Sequence, residues 1–150
     1  MSYGKNGITI LMAEDDEEDR MLVEDAWEVA HLDNKLRCVE DGEELMDYLY
    51  HRGTYANTED SPRPGLILLD LNMPRKDGRE ALQEIKGDPD LRRIPVVVLT
   101  TSKSEEDVFS TYDLGVNSYI TKPVTFESLS KIVQTLGEYW FRIVRLPNVS

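Results

Sequence analysis

Cysteine is almost absent from this 150-residue chain, Cys38 being its single instance. No disulfide can close within the chain, and the composition suits a reducing compartment. Long hydrophobic runs are missing as well. The longest, around Leu66 to Leu69 and Val96 to Leu99, fall far short of the ~18 apolar residues a membrane span needs. The first ten residues carry Lys5 but not the apolar core of a signal peptide, so a cytoplasmic location is expected. Positive charge is in short supply: 17 Lys and Arg stand against 29 Asp and Glu, a net charge of −12. Such a chain would repel a nucleic-acid backbone or an anionic membrane surface, and neither is expected as a partner. Internal repeats, low-complexity tracts and interdomain linkers are also lacking.

What remains is ample for a folded unit. Hydrophobic residues make up 40% of the chain, with two Trp, seven Tyr and three Phe, and the length allows one domain spanning 1–150. Apolar runs rich in β-branched residues lie at Ile8 to Ala13, Leu66 to Leu69 and Val96 to Leu99, with weaker ones at Leu36 to Val39 and Ser118 to Thr121. They do not alternate, as suits strands of a parallel sheet buried on both faces. Helical patterns fill the intervals: Asp19 to Ala30, Glu43 to Tyr50, Arg79 to Ile85, Glu105 to Leu114, and an amphipathic stretch from Thr125 to about Val144. Strand then helix, repeated, predicts an α/β doubly wound parallel sheet of five strands. Five such units need ~120 residues, which places the core at about 7–136. The surplus falls in a long polar loop at 52–65 and a C-terminal extension and tail at 137–150.

Ligands of doubly wound sheets bind outside the carboxyl ends of the strands. Glu14 and Asp15 stand there after the first strand, Asp70 after the third, Thr100 at the end of the fourth and Lys122, followed by Pro123, after the fifth. Clustered carboxylates raise each other's pKa and call for a cation. With oxygen ligands and no nearby His or thiolate, the expected ion is Mg²⁺, with Mn²⁺ possible, rather than zinc. A metal, a carboxylate, an ammonium and a hydroxyl are also the equipment of phosphoryl transfer, with Asp70 as nucleophile.

The motifs LMAEDD at 11–16, LILLDLNMPRKDG at 66–78, VVVLTTS at 96–102 and SYITKP at 118–123 together resemble the receiver domains of two-component response regulators, the CheY-like family. The resemblance implies a flavodoxin-like strand order, 2-1-3-4-5. It implies that Asp70 accepts phosphate from a histidine kinase, that Glu14, Asp15, Asp70 and the Asn72 backbone carbonyl hold the metal, and that Lys122 pairs with the phosphoryl group. Thr100 and Tyr119 become the switch pair, and the Lys122–Pro123 bond is expected to be cis. Asn72, Thr101 and Ser102 border access to the phosphoryl group. Thr101 is bulkier than the family's usual residue, and Ser102 stands where many relatives carry a charged or amide side chain. The YLYHRGTYA stretch, the DGREALQEIK helix and the IVRLP ending are similar to stand-alone regulators that partner bacterial phytochromes. A phytochrome-type kinase, a homodimer and a downstream protein target are the partners this implies.

Blander readings stand beside these. Glu17, Glu18 and Asp19 read as solvated first-turn acids, His31 and His51 as surface residues, Cys38 as a small buried hydrophobe, and Tyr119 alternatively as packing. Tyr139, Trp140 and Phe141 are consecutive and cannot share one face of an α-helix, so they are read as a possible dimer interface, the alternative being a tail folded back on its own domain. The rival functions are an aspartyl-phosphate phosphatase of the haloacid-dehalogenase type and a pseudo-receiver that only binds partners. The first needs an acid two residues after the nucleophile, where this chain has Asn72.

Overall fold

Successive side chains of a strand point to opposite faces of its sheet, and in this protein both faces are covered. In the computed structural model, which describes residues 8–143, 145 and 146, the strands are β1 (Thr9–Ala13), β2 (Lys35–Val39), β3 (Pro64–Leu69), β4 (Val96–Thr100) and β5 (Ser118–Thr121). They form one parallel sheet in the order β2-β1-β3-β4-β5. Leu11, Ala13, Ile67, Leu69, Val96 and Val98 face one core, and Ile10, Met12, Leu66, Leu68, Val97 and Leu99 face the other. This is why the central strands read as unbroken apolar runs, whereas the edge strands β2 and β5 are only half-buried. Pro64, with no N–H to donate, opens β3 where the register with β1 shifts between Thr9 and Ile10.

The helices are α1 (Glu17–Val29), α2 (Gly42–Tyr50), α3 (Gly78–Gly87), α4 (Glu105–Leu114) and α5 (Phe126–Glu138). α1 and α5 cover one face through Val23, Ala26, Trp27, Leu129, Val133 and Leu136. α2 and α3 cover the other through Leu45, Met46, Leu49, Ala81, Leu82 and Ile85, with Leu114 of α4 packed against them. Each helix starts on a side-chain cap: Asp16, Asp41, Asp77, Ser104 and Thr125 accept from the backbone N–H three residues on. Such a cap is worth about 1 kcal/mol and fixes where each loop ends. At the sheet margin, the Tyr112 hydroxyl accepts from the Tyr119 N–H of β5 at 3.1 Å.

The C-terminal aromatics depart from the dimer expectation. α5 continues as a π-helical turn, Tyr139–Ile143, and this wider winding brings successive side chains closer in angle than an α-helix does. Trp140 and Phe141 are consequently both buried in the chain's own core, 8% and 4% exposed, while Tyr139 stays 49% exposed. Phe141 meets Trp27 of α1 edge-on at 5.8 Å. Two of the three residues are therefore spent within the chain. Lys5, Val144 and the tail at 147–150 lie outside the described residues.

The 52–65 loop is folded onto α2. Tyr55 tilts against Tyr48 at 5.0 Å and donates its hydroxyl to Glu44. The Tyr48 hydroxyl donates to the Pro62 carbonyl at 2.8 Å, and the fully buried Ser61 hydroxyl lies within hydrogen-bond distance of the Tyr55 and Asn57 carbonyls. Among the described residues, no helix is long and apolar enough to cross a membrane.

Candidate functional site

Backbone hydrogen bonds that run on past the strands set the site. The Glu14 N–H donates to the Val39 carbonyl at 2.9 Å, the Asp70 N–H to Ala13 at 3.1 Å and the Lys122 N–H to Thr100 at 2.8 Å. Each of these polar residues is thereby fixed beyond the last apolar position of its strand. The loop after Asp70 is drawn in tightly, the Gly78 N–H donating to the Leu71 carbonyl at 2.9 Å.

Glu14, Asp15 and Asp70 each bring a carboxylate oxygen within 4.8 Å of the others'. Glu14 and Asp70 are 3% and 5% exposed, whereas Asp15 is open to solvent. The Thr100 hydroxyl donates to Asp70 Oδ1 at 2.7 Å. Lys122 Nζ bonds to Glu14, donates to Asp19 Oδ2 at 2.8 Å and stands 3.7 Å from Asp70 Oδ2. Arg20 donates to the Glu14 and Asp15 carbonyls at 2.9 and 3.1 Å, tying α1 to the turn after β1. Burial, reinforced by the Asp70 charge, pushes Glu14 up to about 7, against the pull of Lys122. Burial alone would lower the Lys122 ammonium, but hydrogen bonds to Asp19 and Glu14 and the Asp70 charge outweigh it and raise the pKa. Lys122 therefore stays a cation amid anions. The donor set is all oxygen and carries more carboxylates than ammonium, which fits a hard divalent cation.

Thr101 is exposed, while Ser102 is half-buried and donates its hydroxyl to Asp107 Oδ2 at 2.6 Å. The Tyr119 ring packs against the α2 and α3 side of the core, and its hydroxyl donates to the Ser102 carbonyl at 3.0 Å. No cis peptide bond occurs among the described residues, so the Lys122–Pro123 bond is trans, contrary to expectation. Trans is the lower-energy isomer by ~0.5–1 kcal/mol, and from it Lys122 already reaches Glu14 and Asp19.

Residues 10–134 match the family described as the response regulator receiver domain. The chain belongs to this family. Receiver proteins among its relatives include the response regulator Rcp1 of Synechocystis sp., 49% identical over 92% of each chain. The phosphorylated cyanobacterial phytochrome response regulator RcpA superposes with a TM-score of 0.88 at 47% identity, covering 95% of this chain and 99% of the other. The Mn²⁺-bound form of Rcp1 follows at a TM-score of 0.85 and 48% identity, covering 94% and 99%. The sequence-predicted sheet order and CheY-like fold are borne out.

The receiver motifs left three participants unmarked. Asp19, read as a solvated first-turn acid, turns inward to Lys122; its place in the first turn of α1, five residues after Glu14, was the available signal. Arg79 and Asp107 are joined across 28 residues of chain by two 2.6 Å contacts, and no local pattern announces such a pair. His51 caps α2 in the left-handed conformation with φ 56°. The Cys38 thiol is half-buried near Glu24 and is pushed up to about 12 by burial and that carboxylate, which makes it unreactive.

Proposed function

We propose that this receiver domain is a stand-alone phosphoacceptor switch that takes a phosphoryl group on Asp70 from a histidine kinase of the phytochrome type. The observation that carries the reading is the convergence on one carboxylate: Thr100 donates to Asp70 at 2.7 Å while Lys122 stands 3.7 Å from its other oxygen. An Asp70 oxygen bonds to phosphorus as the bond from phosphorus to the donor imidazole breaks, its electron pair returning to the ring nitrogen. Lys122 offsets negative charge on the arriving group. Glu14, Asp15 and Asp70, with the Asn72 carbonyl, would hold Mg²⁺ or Mn²⁺, which when bound neutralises charge on the phosphoryl oxygens. The manganese-bound relative supports this choice of ion.

Once Asp70 carries the acyl phosphate, the Thr100 hydroxyl exchanges its carboxylate partner for a phosphoryl oxygen. Ser102 and Tyr119, linked to the same loop, follow it, and the α4–β5 face changes. The phytochrome partner is supported by the likeness to RcpA. The signal then leaves by contact with a downstream protein or by homodimerisation. Of the C-terminal trio only Tyr139 is exposed for such a contact, and Phe109 and Tyr112 on α4 are exposed as well. Composition supports a cytoplasmic setting. Phosphatase chemistry on external esters is disfavoured, since Asn72 is no acid and its side-chain oxygen faces Arg79.

Incubation with Mg²⁺ and acetyl phosphate, or with a phytochrome kinase, followed by intact-mass measurement, tests the reading. A phosphate adduct on wild type and none on Asp70→Asn is the expected result. Wild type without an adduct from any donor, or rapid release of phosphate from p-nitrophenyl phosphate, would overturn it.

A further inference from the structure

Beyond the acceptor cluster, a two-pronged polar contact joins two residues outside the receiver motifs. Arg79 lies in the first turn of α3 and Asp107 in the first turn of α4. Arg79 Nε donates to Asp107 Oδ1 and Nη2 to Oδ2, both at 2.6 Å, the two-pronged geometry that a guanidinium offers a carboxylate and an ammonium cannot. Asp107 is buried, although its helix neighbours Glu105 and Glu106 are solvated.

Each partner also reaches toward the acceptor. Arg79 Nη1 and Nη2 lie 3.5 and 3.4 Å from Asn72 Oδ1, and Nη1 lies 3.4 Å from the Leu71 carbonyl. Asp107 Oδ2 accepts the Ser102 hydroxyl at 2.6 Å. The Asn72 N–H points to Asp70 Oδ1 and the Ser102 N–H to Thr100 Oγ1, each at 3.4 Å, and Thr100 donates to Asp70. Asp70, Asn72, Arg79, Asp107, Ser102 and Thr100 thus form a closed ring. Its short links are those of Asp107 with Arg79 and Ser102 and of Thr100 with Asp70, and its long, weak ones run through Asn72 and the Ser102 N–H.

We propose that Arg79 and Asp107 are positioning residues that hold Asn72 and Ser102 at the mouth of Asp70 and thereby set the lifetime of the acyl phosphate. The inference rests on the phosphoacceptor reading above. In hydrolysis a water oxygen bonds to phosphorus, and the bond from phosphorus to the Asp70 oxygen breaks with its electron pair returning to the carboxylate. One water proton passes to solvent and inorganic phosphate leaves. The water needs partners to orient it, and Asn72 and Ser102, whose N–H groups point to Asp70 and Thr100, are the members of this ring with polar side chains next to the acceptor, exposed Thr101 lying outside the ring. In this structure the Asn72 side-chain oxygen faces Arg79 and the Ser102 proton is committed to Asp107. Loss of Asp107 frees the Ser102 proton and loss of Arg79 frees the Asn72 oxygen. Either loss also releases the surviving partner from its fork and loosens the group it holds, so that a water can be held in line with phosphorus and the lifetime shortens.

The test follows adduct decay by intact mass after loading with acetyl phosphate and Mg²⁺ and rapid removal of the donor. Arg79→Met and Asp107→Ala are each expected to shorten the half-life by about tenfold, the worth of one hydrogen bond in the transition state. The two together should do no more than either alone, because they act as one unit. Adding Ser102→Ala to Asp107→Ala should lengthen the half-life again, an outcome that general loosening of the fold would not produce. Should Asp107→Ala lose the wild-type circular dichroism, Arg79→Lys, with one point donor in place of a fork, is expected to shift the half-life in the same direction. Half-lives equal to wild type, or a shortening that Ser102→Ala leaves untouched, would overturn this inference alone. A wild-type chain that accepts no phosphate would overturn the phosphoacceptor reading, and this inference with it.

Discussion

Gly78 approaches the Asp70 carbonyl so closely that a β-carbon on it would lie 2.1 Å from that oxygen. The start of α3 is thereby pressed against the backbone of the acceptor itself, with the Gly78 N–H closing the turn onto Leu71. Gly78→Ala must push α3 or Asp70 aside. The expected cost is about 1–3 kcal/mol of stability, read by urea unfolding, together with slower adduct formation as Asp70 shifts from Thr100. An alanine variant with wild-type stability and phosphorylation rate would show that the loop yields freely.

Lys122 serves Glu14, Asp19 and Asp70 together. Lys122→Met leaves the two buried carboxylates without their ammonium, and about 3 kcal/mol of metal-free stability is expected to go with it. Because a divalent cation takes over part of that neutralisation, Mg²⁺ should raise the unfolding temperature of the variant more than that of wild type. Thermal scans in EDTA and in Mg²⁺ measure both effects, and equal increments in the two proteins would contradict the expectation.

The Arg79 guanidinium holds the Asp107 carboxyl down to about 2 against the opposing effect of burial, with help from the Ser102 hydroxyl. Between that value and an unfolded value of about 4 the unfolded chain binds more protons, so stability falls as pH falls. The contribution is complete above the unfolded value and is lost as pH drops through the folded one. Wild type minus Asp107→Ala, measured by denaturant unfolding at a series of pH values, should be level above about pH 4 and shrink below it. A difference independent of pH would contradict the ion pair's share.

Phe141 and Tyr139 are neighbours with opposite roles. Phe141→Ala is expected to cost about 3–5 kcal/mol through the cavity it leaves against Trp27. Tyr139→Ala should stay within about 0.5 kcal/mol of wild type. Light scattering on the same samples separates fold from assembly: Tyr139→Ala is the variant that would weaken a dimer, and a dimer lost only in Phe141→Ala would reverse the assignment.

The strands were legible because β1, β3 and β4 are buried on both faces, and only a doubly covered parallel sheet writes apolar runs such as Val96 to Leu99. α4 and β5 fall where the pattern placed them. Asp70 and Thr100 were legible because their strand ends are abrupt, apolar giving way to polar within one residue, and Lys122 because it stands before Pro123 just past the fifth run. Cross-element geometry was not. Asp19 and Glu17 are alike as first-turn acids, and only the approach of Lys122, in the loop after β5, to the first turn of α1 distinguishes them. The π-helical turn was hidden because Tyr139, Trp140 and Phe141 break the 3.6 period that an amphipathic reading assumes, and the burial of Trp140 and Phe141 is settled by the winding, not by the composition. The 52–65 loop read only as long and polar, and its order comes from Tyr55 meeting Glu44 on α2, from the Ser61 hydroxyl beside the Tyr55 and Asn57 carbonyls within the loop, and from Arg63 at 2.7 Å from Asp90 beyond α3.

The Tyr112 hydroxyl on the Tyr119 N–H has a consequence for how copies of this chain can meet. An outermost strand ordinarily offers its unpaired amides as a template for another chain. Here one rung of that template is already filled by a side chain from the adjoining helix. Continuation of the sheet from one molecule into the next is therefore obstructed at this margin, and any pairing across it has to be made by side chains. Such a contact can be adjusted and released when Tyr119 moves, whereas a shared sheet would lock the two chains together.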